Sequence, residues 1–375
     1  MKSLVKQYLP VIVAVLALII LIALPTGYEG ALIYQGMERC RAVVLEEDSS
    51  LIIDTGLIRS GEQICRLKLL GGKFKGQETS GFNLLNGSLE SDKIYNVGDV
   101  ALVAISHQED TILSVNMIDH YRLDKEAILL VIFAVFLIVF ARGIGVRSLL
   151  SFIITVLTIW KLLIPGCLDG GNPIIIGLIL TAFLTVIIIS MVYGYDRRCL
   201  ASSAGVMLGV LTTCIMGIVF TDVLRIHGAV MAYSESLLYA GYQNLNLTRI
   251  FMSSIFIGAS GALMDIAVDI TSAVNEVIRK KPDITRKEAI QSGFNVGRAA
   301  MGTMTTTLLL AYSGGYIALL MVFMAQGTPV INILNYKYVS AEILQTLAGS
   351  FGLVSVAPFT AVVSGILLVD GNERS

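Results

Sequence analysis

The feature that most constrains this chain is a succession of apolar runs, each near the 20 or so residues a helix needs to cross the hydrocarbon core of a bilayer. VIVAVLALIILIAL follows Lys2 and Lys6, and further runs occupy about 126–141, 148–164, 173–192, 200–221, 249–270, 299–325 and 342–369. Backbone groups find no partners in lipid, so such runs are predicted to be helices. With 55% hydrophobic and 15% charged residues, the chain is too apolar for an ordinary soluble protein. The pattern predicts an α-helical polytopic membrane protein of about eight transmembrane helices, some kinked or broken.

The first run resembles a secretory signal in its charged start. It has no small-x-small cleavage site and no lipobox cysteine, so it is read as an uncleaved anchor, residues 1–27. From Tyr28 to Arg122 the apolar runs give way to period-two alternation in CRAVVLEE, SLIIDTGL, QICRLKLL, GDVALVAIS and TILSVNMIDHY. Gly/Asn/Asp/Ser clusters separate these segments. Five short strands predict a small all-β barrel-like domain, residues 28–122. His107 and His120 read there as solvated surface residues.

Basic residues sort the connections. Arg142 and Arg147, Arg197 and Arg198, the six basic residues from Arg279 to Arg298, and Arg374 fall on the side of the N-terminal lysines. The positive-inside rule then places both termini in the cytoplasm and the β domain outside it. Residues 123–375 are expected to form a seven-helix membrane domain with an amphipathic cytoplasmic connector at 279–298. In that connector Pro282 stops one helix and Thr285 with Glu288 starts another as a capping box. Ile284, Ile290, Phe294 and Val296 give it an apolar side.

Two neighbouring spans carry groups that lipid should reject. On the first, Ser254, Gly258, Ala262, Asp265, Asp269, Ser272 and Glu276 recur at steps of three or four and share one face, small at one end and acidic at the other. The small end is suited to close approach of another helix. The second span carries Thr303, Thr305, Thr306 and Thr307, then an expected break at Ser313-Gly314-Gly315. Asp265 and Asp269 with these threonines and Ser313 are the candidate solute or ion ligands. Arg298 is the candidate charge partner of Asp265. Elsewhere Gly205, Gly209, Thr213 and Gly217 form a ridge read as a helix-packing face, and Pro358 is expected to kink the last span.

GALMDIAVDITSAVNEV, SGFNVGR and MGTMTTTLLLAY, with LKLLGGKFKGQE in the β domain, resemble the YibE/F-like family of bacterial membrane proteins. The resemblance covers nearly the whole chain and implies a polytopic protein of the bacterial plasma membrane, with no assigned reaction. Where that family often has an acidic residue after Gly-Arg and an Asn in the threonine run, this chain has Ala299 and Thr306. This chain departs from the family pattern there, so a mechanism that needs a carboxylate at the start of that helix does not carry over to it.

With 27 basic and 28 acidic residues, nothing points to nucleic acid. Cys40, Cys65, Cys167, Cys199 and Cys214 form no CxxC or Cys/His cluster, which removes zinc and iron–sulfur readings. Only Cys40 and Cys65 are placed to pair. No phosphate loop, HExxH or GxGD element occurs, so no catalytic residue, metal or cofactor is expected. Two functional classes remain. One is a secondary transporter or channel for a small solute or ion. The other is a scaffold or sensor whose β domain binds an envelope protein.

Overall fold

The computed structural model describes residues 2–29 and 33–372. Arg374, used in the charge argument, lies outside them. The chain divides into two compact units, Gly27–Val139 on one side and Met1–Thr26 with Phe140–Ser375 on the other.

The first unit holds β1 (Glu38–Asp54), β2 (Arg59–Leu69), β3 (Glu78–Asn86), β4 (Val100–Gln108) and β5 (Thr111–His120). They close a barrel in the order β1-β2-β3-β5-β4, with β4 returning to β1 antiparallel. β4 beside the β1-β2-β3 meander is a Greek key. Alternation decides what faces inward: Cys40, Ala42 and Val44 on β1, Cys65, Leu67 and Leu69 on β2, and Ala101, Val103 and Ile105 on β4 are buried. Gly81 is required inside, since a Cβ there would meet Leu67 Cδ1. The interior also holds a polar knot. Fully buried Gln63 accepts from the Tyr95 N–H at 3.0 Å, donates to the Tyr95 carbonyl at 2.8 Å, and accepts from Asn83 at 3.2 Å.

Two expectations for this unit are corrected. Cys40 and Cys65 are free, because Cys65 lies opposite Glu47, seven residues along β1 from Cys40. At about 3.3 Å per residue that distance far exceeds disulfide reach. His107 and His120 are half-buried rather than solvated, packed on Phe74 and Tyr95 at ring separations of 5.3 and 4.5 Å.

The helical elements are α1 (Lys2–Ala23), α2 (Leu123–Thr158), α3 (Ile164–Leu168), α4 (Pro173–Tyr193), α5 (Arg197–Val223), α6 (Ser234–Tyr239), α7 (Leu247–Lys280), α8 (Arg286–Ser313), α9 (Ile317–Ala325), α10 (Val330–Asn335) and α11 (Lys337–Asn372). Among the described residues six helices are long and apolar enough to cross a membrane: Leu123–Leu168, Pro173–Tyr193, Arg197–Val223, Leu247–Lys280, Arg286–Ala325 and Lys337–Val369. Leu123–Leu168 covers two of the expected runs, with a kink at Arg142, where the backbone leaves helical geometry (φ 50°, ψ −124°). The apolar stretch of α1, Tyr8–Ala23, is shorter than a full span.

The core of the second unit is α7 wrapped by α5, α8 and α11. The predicted small ridge works here: a Cβ on Gly205 would lie 2.9 Å from the Thr360 Cα, and one on Gly209 would lie 2.9 Å from Val356 Cβ. Small residues let helices pack where no hydrophobic force drives them together. Buried hydroxyls tie the same helices, from Ser202 to Thr271 at 2.9 Å and from Thr271 to Ser364 at 3.0 Å. α11 continues through Pro358.

The connector helix is continuous with the span that follows it. Thr285 and Glu288 form the capping box, but they start α8 itself, which runs unbroken to Ser313. Gly293 and Gly297 lodge it in the bundle, with Ala361 and Ala357 of α11 against them, and Ile290 presses on Gly365.

Candidate functional site

α7 is organised as its spacing predicts. Ile255, Leu263, Ile266 and Ile270 are fully buried, and the opposite face is open: Gly258, Gly261, Asp265, Asp269 and Ser272 are exposed. The expectation that its small end admits a neighbouring helix closely is corrected. A Cβ on Gly261 would meet nothing within 4 Å, and at Gly258 the neighbour is the tip of a side chain, the Tyr312 hydroxyl at 2.7 Å. Close backbone approach belongs instead to α5 and α11, because α7 turns its large apolar residues, not its small ones, toward the bundle.

Asp265 and Asp269 stand one turn apart on this open face. Arg298 is exposed on α8, and no ion pair joins it to Asp265 among the described residues. Register explains this. Gly297 sits against Ile270 and Gly293 against Val274, so α8 runs antiparallel to α7 and Arg298 falls nearer the level of Asp269. Toward the C-terminal end of the face, the Tyr193 hydroxyl donates to the Val268 carbonyl at 2.6 Å and lies 2.6 Å from Ser272 Oγ. Arg198 sits over the Tyr193 ring at 5.0 Å while paired to Asp196 at 2.6 Å.

The threonine hydroxyls of α8 donate to their own helix. Thr303, Thr306 and Thr307 are exposed, Thr305 half-buried, and each donates to its own helix: Thr303 to Ala300 at 3.3 Å, Thr305 to Met301 at 3.1 Å, Thr306 to Thr303 at 2.8 Å, and Thr307 to Thr303 at 3.4 Å. Ser313 donates to the Leu309 carbonyl. The expected break at Ser313-Gly314-Gly315 is a single 3₁₀ turn, Gly314–Tyr316, between α8 and α9. Their hydroxyl protons are engaged, but each oxygen keeps acceptor capacity.

Two features were passed over in the sequence. A cavity of about 750 Å³ opens among Asn172, Asp222, His227, Asn244, Asn246 and Arg249, at the ends of α4, α5 and α7. Its residues come from helix ends and a loop without a motif, so only proximity reveals it. The second is a group of buried oxygens on Glu342, Thr346 and Tyr312. Spacing of 342 and 346 by one turn was the available signal.

The model of a family described as YibE/F-like protein matches residues 129–370. No curated protein and no solved structure matches the chain.

Proposed function

The chain belongs to the YibE/F-like family, and from that premise we propose that it is a multi-pass transporter or channel for a small solute or ion. The observation that carries this reading is the open acidic face of α7. Asp265 is exposed, yet it lies within Leu247–Lys280, a helix apolar and long enough to cross a membrane. An ionisable group at the centre of a span costs roughly 2.5–3.5 kcal/mol on insertion scales, so such a face needs water or a counter-charge. No ion pair among the described residues supplies the counter-charge at Asp265 or Asp269. In this reading the face lines a wet path, with Asp265 and Asp269 as charged ligands and Thr303, Thr305, Thr306, Thr307 and Ser313 as neutral ones.

The proposed topology follows the charge asymmetry. Both termini and the 279–298 segment are cytoplasmic, the barrel is extracytoplasmic, the α1 segment is an anchor, and the membrane is the bacterial plasma membrane. The chemistry is movement rather than catalysis, without cofactor or metal.

One observation favours a second reading, in which the barrel engages an envelope protein. Leu51, Ile53, Leu57, Leu84 and Leu89 are 55–85% exposed on that unit. Leu57 and Leu89 line one hollow of its surface, and contiguous exposed apolar groups mark interaction surfaces. The readings separate by mutation. Asp265→Asn keeps shape and hydrogen bonding but removes charge, so a well-expressed variant should lose complementation of a deletion strain. A well-expressed Asp265→Asn protein with full activity would sink the transport reading, whereas loss of function confined to Leu57→Asp or Leu89→Asp would favour the scaffold.

A further inference from the structure

A second set of oxygens in the helical unit has no assigned role and lies away from Asp265. Glu342 stands in the second turn of α11, half-buried, with its Oε1 shielded from solvent and without a hydrogen-bond partner. Thr346, one turn further, is 7% exposed and its Oγ1 is likewise unpartnered. From α8 the Tyr312 hydroxyl, shielded and without a hydrogen bond, reaches over Gly258 of α7 to within 2.7 Å of where a Cβ would stand. Any side chain at 258 would strike it. Tyr312 and Tyr316 both lie within electrostatic reach of the Glu342 carboxylate, and Gln345 lies beside the Tyr312 hydroxyl.

A buried polar atom left unpaired forfeits the hydrogen bonds it made to water, so these three call for an occupant. Thr346 makes the case sharper. Ser350 donates to the Thr346 carbonyl at 2.7 Å and Thr213 to the Gly209 carbonyl at 3.2 Å, whereas Thr346, like Thr360 further along α11, has a buried Oγ1 without a partner. The Thr346 lone pairs and proton are therefore uncommitted. No lysine or arginine among the described residues forms an ion pair with Glu342, and the Lys337 ammonium sits instead over the Tyr338 ring at 5.1 Å.

We propose that Glu342, Thr346 and Tyr312 form a binding site for one monovalent cation between α7, α8 and α11. The donor set selects this class. It is all oxygen, which suits a hard cation over a transition metal, and it carries one formal negative charge, which a monovalent ion neutralises. Among the described residues no group of three His, Cys, Asp or Glu is available to hold a divalent metal. Gly258 supplies the room that the Tyr312 hydroxyl occupies. The site does not depend on Asp265 and stands whether or not the protein moves a solute.

The test uses the purified full-length protein in detergent, exchanged into choline chloride and titrated with NaCl or KCl at constant ionic strength, with thermal unfolding followed by intrinsic fluorescence. A ligand bound only by the folded state raises its stability in proportion to ln(1 + [L]/Kd), so either ion should give a saturable rise in Tm, about 5 °C or more at a hundredfold excess over Kd. Glu342→Gln should abolish the rise. Thr346→Val and Tyr312→Phe, each removing one oxygen at nearly constant shape, should weaken it at least tenfold in apparent Kd. Gly302→Ala, whose Cβ meets nothing within 4 Å, should leave it intact; a rise lost in Asp265→Asn but kept in Glu342→Gln would assign the ion to the acidic face and overturn the proposal. Coincident curves in choline, Na⁺ and K⁺ for the unmodified protein, or an unchanged response in Glu342→Gln, would overturn the proposal.

Discussion

Gly352→Ala tests the packing that organises the helical unit. A Cβ at 352 would lie 1.9 Å from Thr213 Oγ1 and 3.0 Å from the Gly209 carbonyl, at the seam between α5 and α11. Ordinary contact needs about 3.4 Å or more, so Thr213 must move by roughly 1.5 Å or the helices must part. Thr213 is fully buried and its hydroxyl holds the Gly209 carbonyl at 3.2 Å, so moving it sacrifices that bond. The lost bond is worth about 1 kcal/mol and overpacking typically adds 1–3, giving about 2–4 kcal/mol in all. For a unit of this size that corresponds to a fall in Tm of about 5–12 °C. Thermal unfolding of the purified protein reads it directly. Gly302→Ala is the control, because a Cβ at 302 meets nothing within 4 Å. Adding Thr213→Ala to Gly352→Ala should restore most of the loss, a coupling expected only of residues in contact. The reasoning fails if Gly352→Ala melts within a degree of the unmodified protein, or if the double variant is no better than the single.

In the barrel, Gln63→Ala strands the Tyr95 N–H and carbonyl, and should cost about 2–4 kcal/mol in chemical denaturation of the β unit. Burial, reinforced by the Glu47 charge, pushes the Cys65 thiol up to about 11, and burial raises the Tyr95 phenol too. The unfolded thiol ionises first, from about 8.5, so stability should fall as pH rises from there toward 11, and Cys65→Ala should flatten that slope. Rapid labelling of Cys65 by a maleimide at neutral pH in the folded protein would contradict this. Thr285→Ala removes the α8 capping box and should lower stability by about 1 kcal/mol, with Thr285→Ser restoring it.

Period and spacing alone make some of this visible. The alternation through Cys40–Val44 and Cys65–Leu69 marks strands because buried and exposed residues must take turns on a pleat. The four-residue recurrence of Gly205, Gly209 and Gly217 marks a packing face for the same geometric reason on a helix. The polar face of α7 was likewise legible, since Asp265, Asp269 and Ser272 fall together at 3.6 residues per turn. Pairings between elements were not legible. Nothing local says that β4 returns to β1, which leaves Cys40 opposite Val103 rather than near Cys65. A threonine hydroxyl chooses between its own carbonyl and a neighbour by distances that only packing fixes, so the own-turn bonds of Thr303, Thr305, Thr306 and Thr307 were not legible. α8 looked like two pieces because its charged start resembles a surface helix. Gly293 and Gly297, which seat that start against α11, are informative only once α11 is beside them. Glu342 was overlooked because one acid near a helix start is ordinary until its oxygen is found buried and unpaired.

The most direct measurement of the central claim, that the acidic face of α7 meets water inside the membrane, is cysteine accessibility along that helix. In a background lacking the five native cysteines, Asp265→Cys and Asp269→Cys should react in intact membranes with a charged, water-soluble methanethiosulfonate. Leu263→Cys and Ile270→Cys, on the fully buried face, should not. Reaction of Asp265→Cys only with a lipid-soluble maleimide, or only after detergent is added, would show that the face meets lipid or protein and would contradict the account.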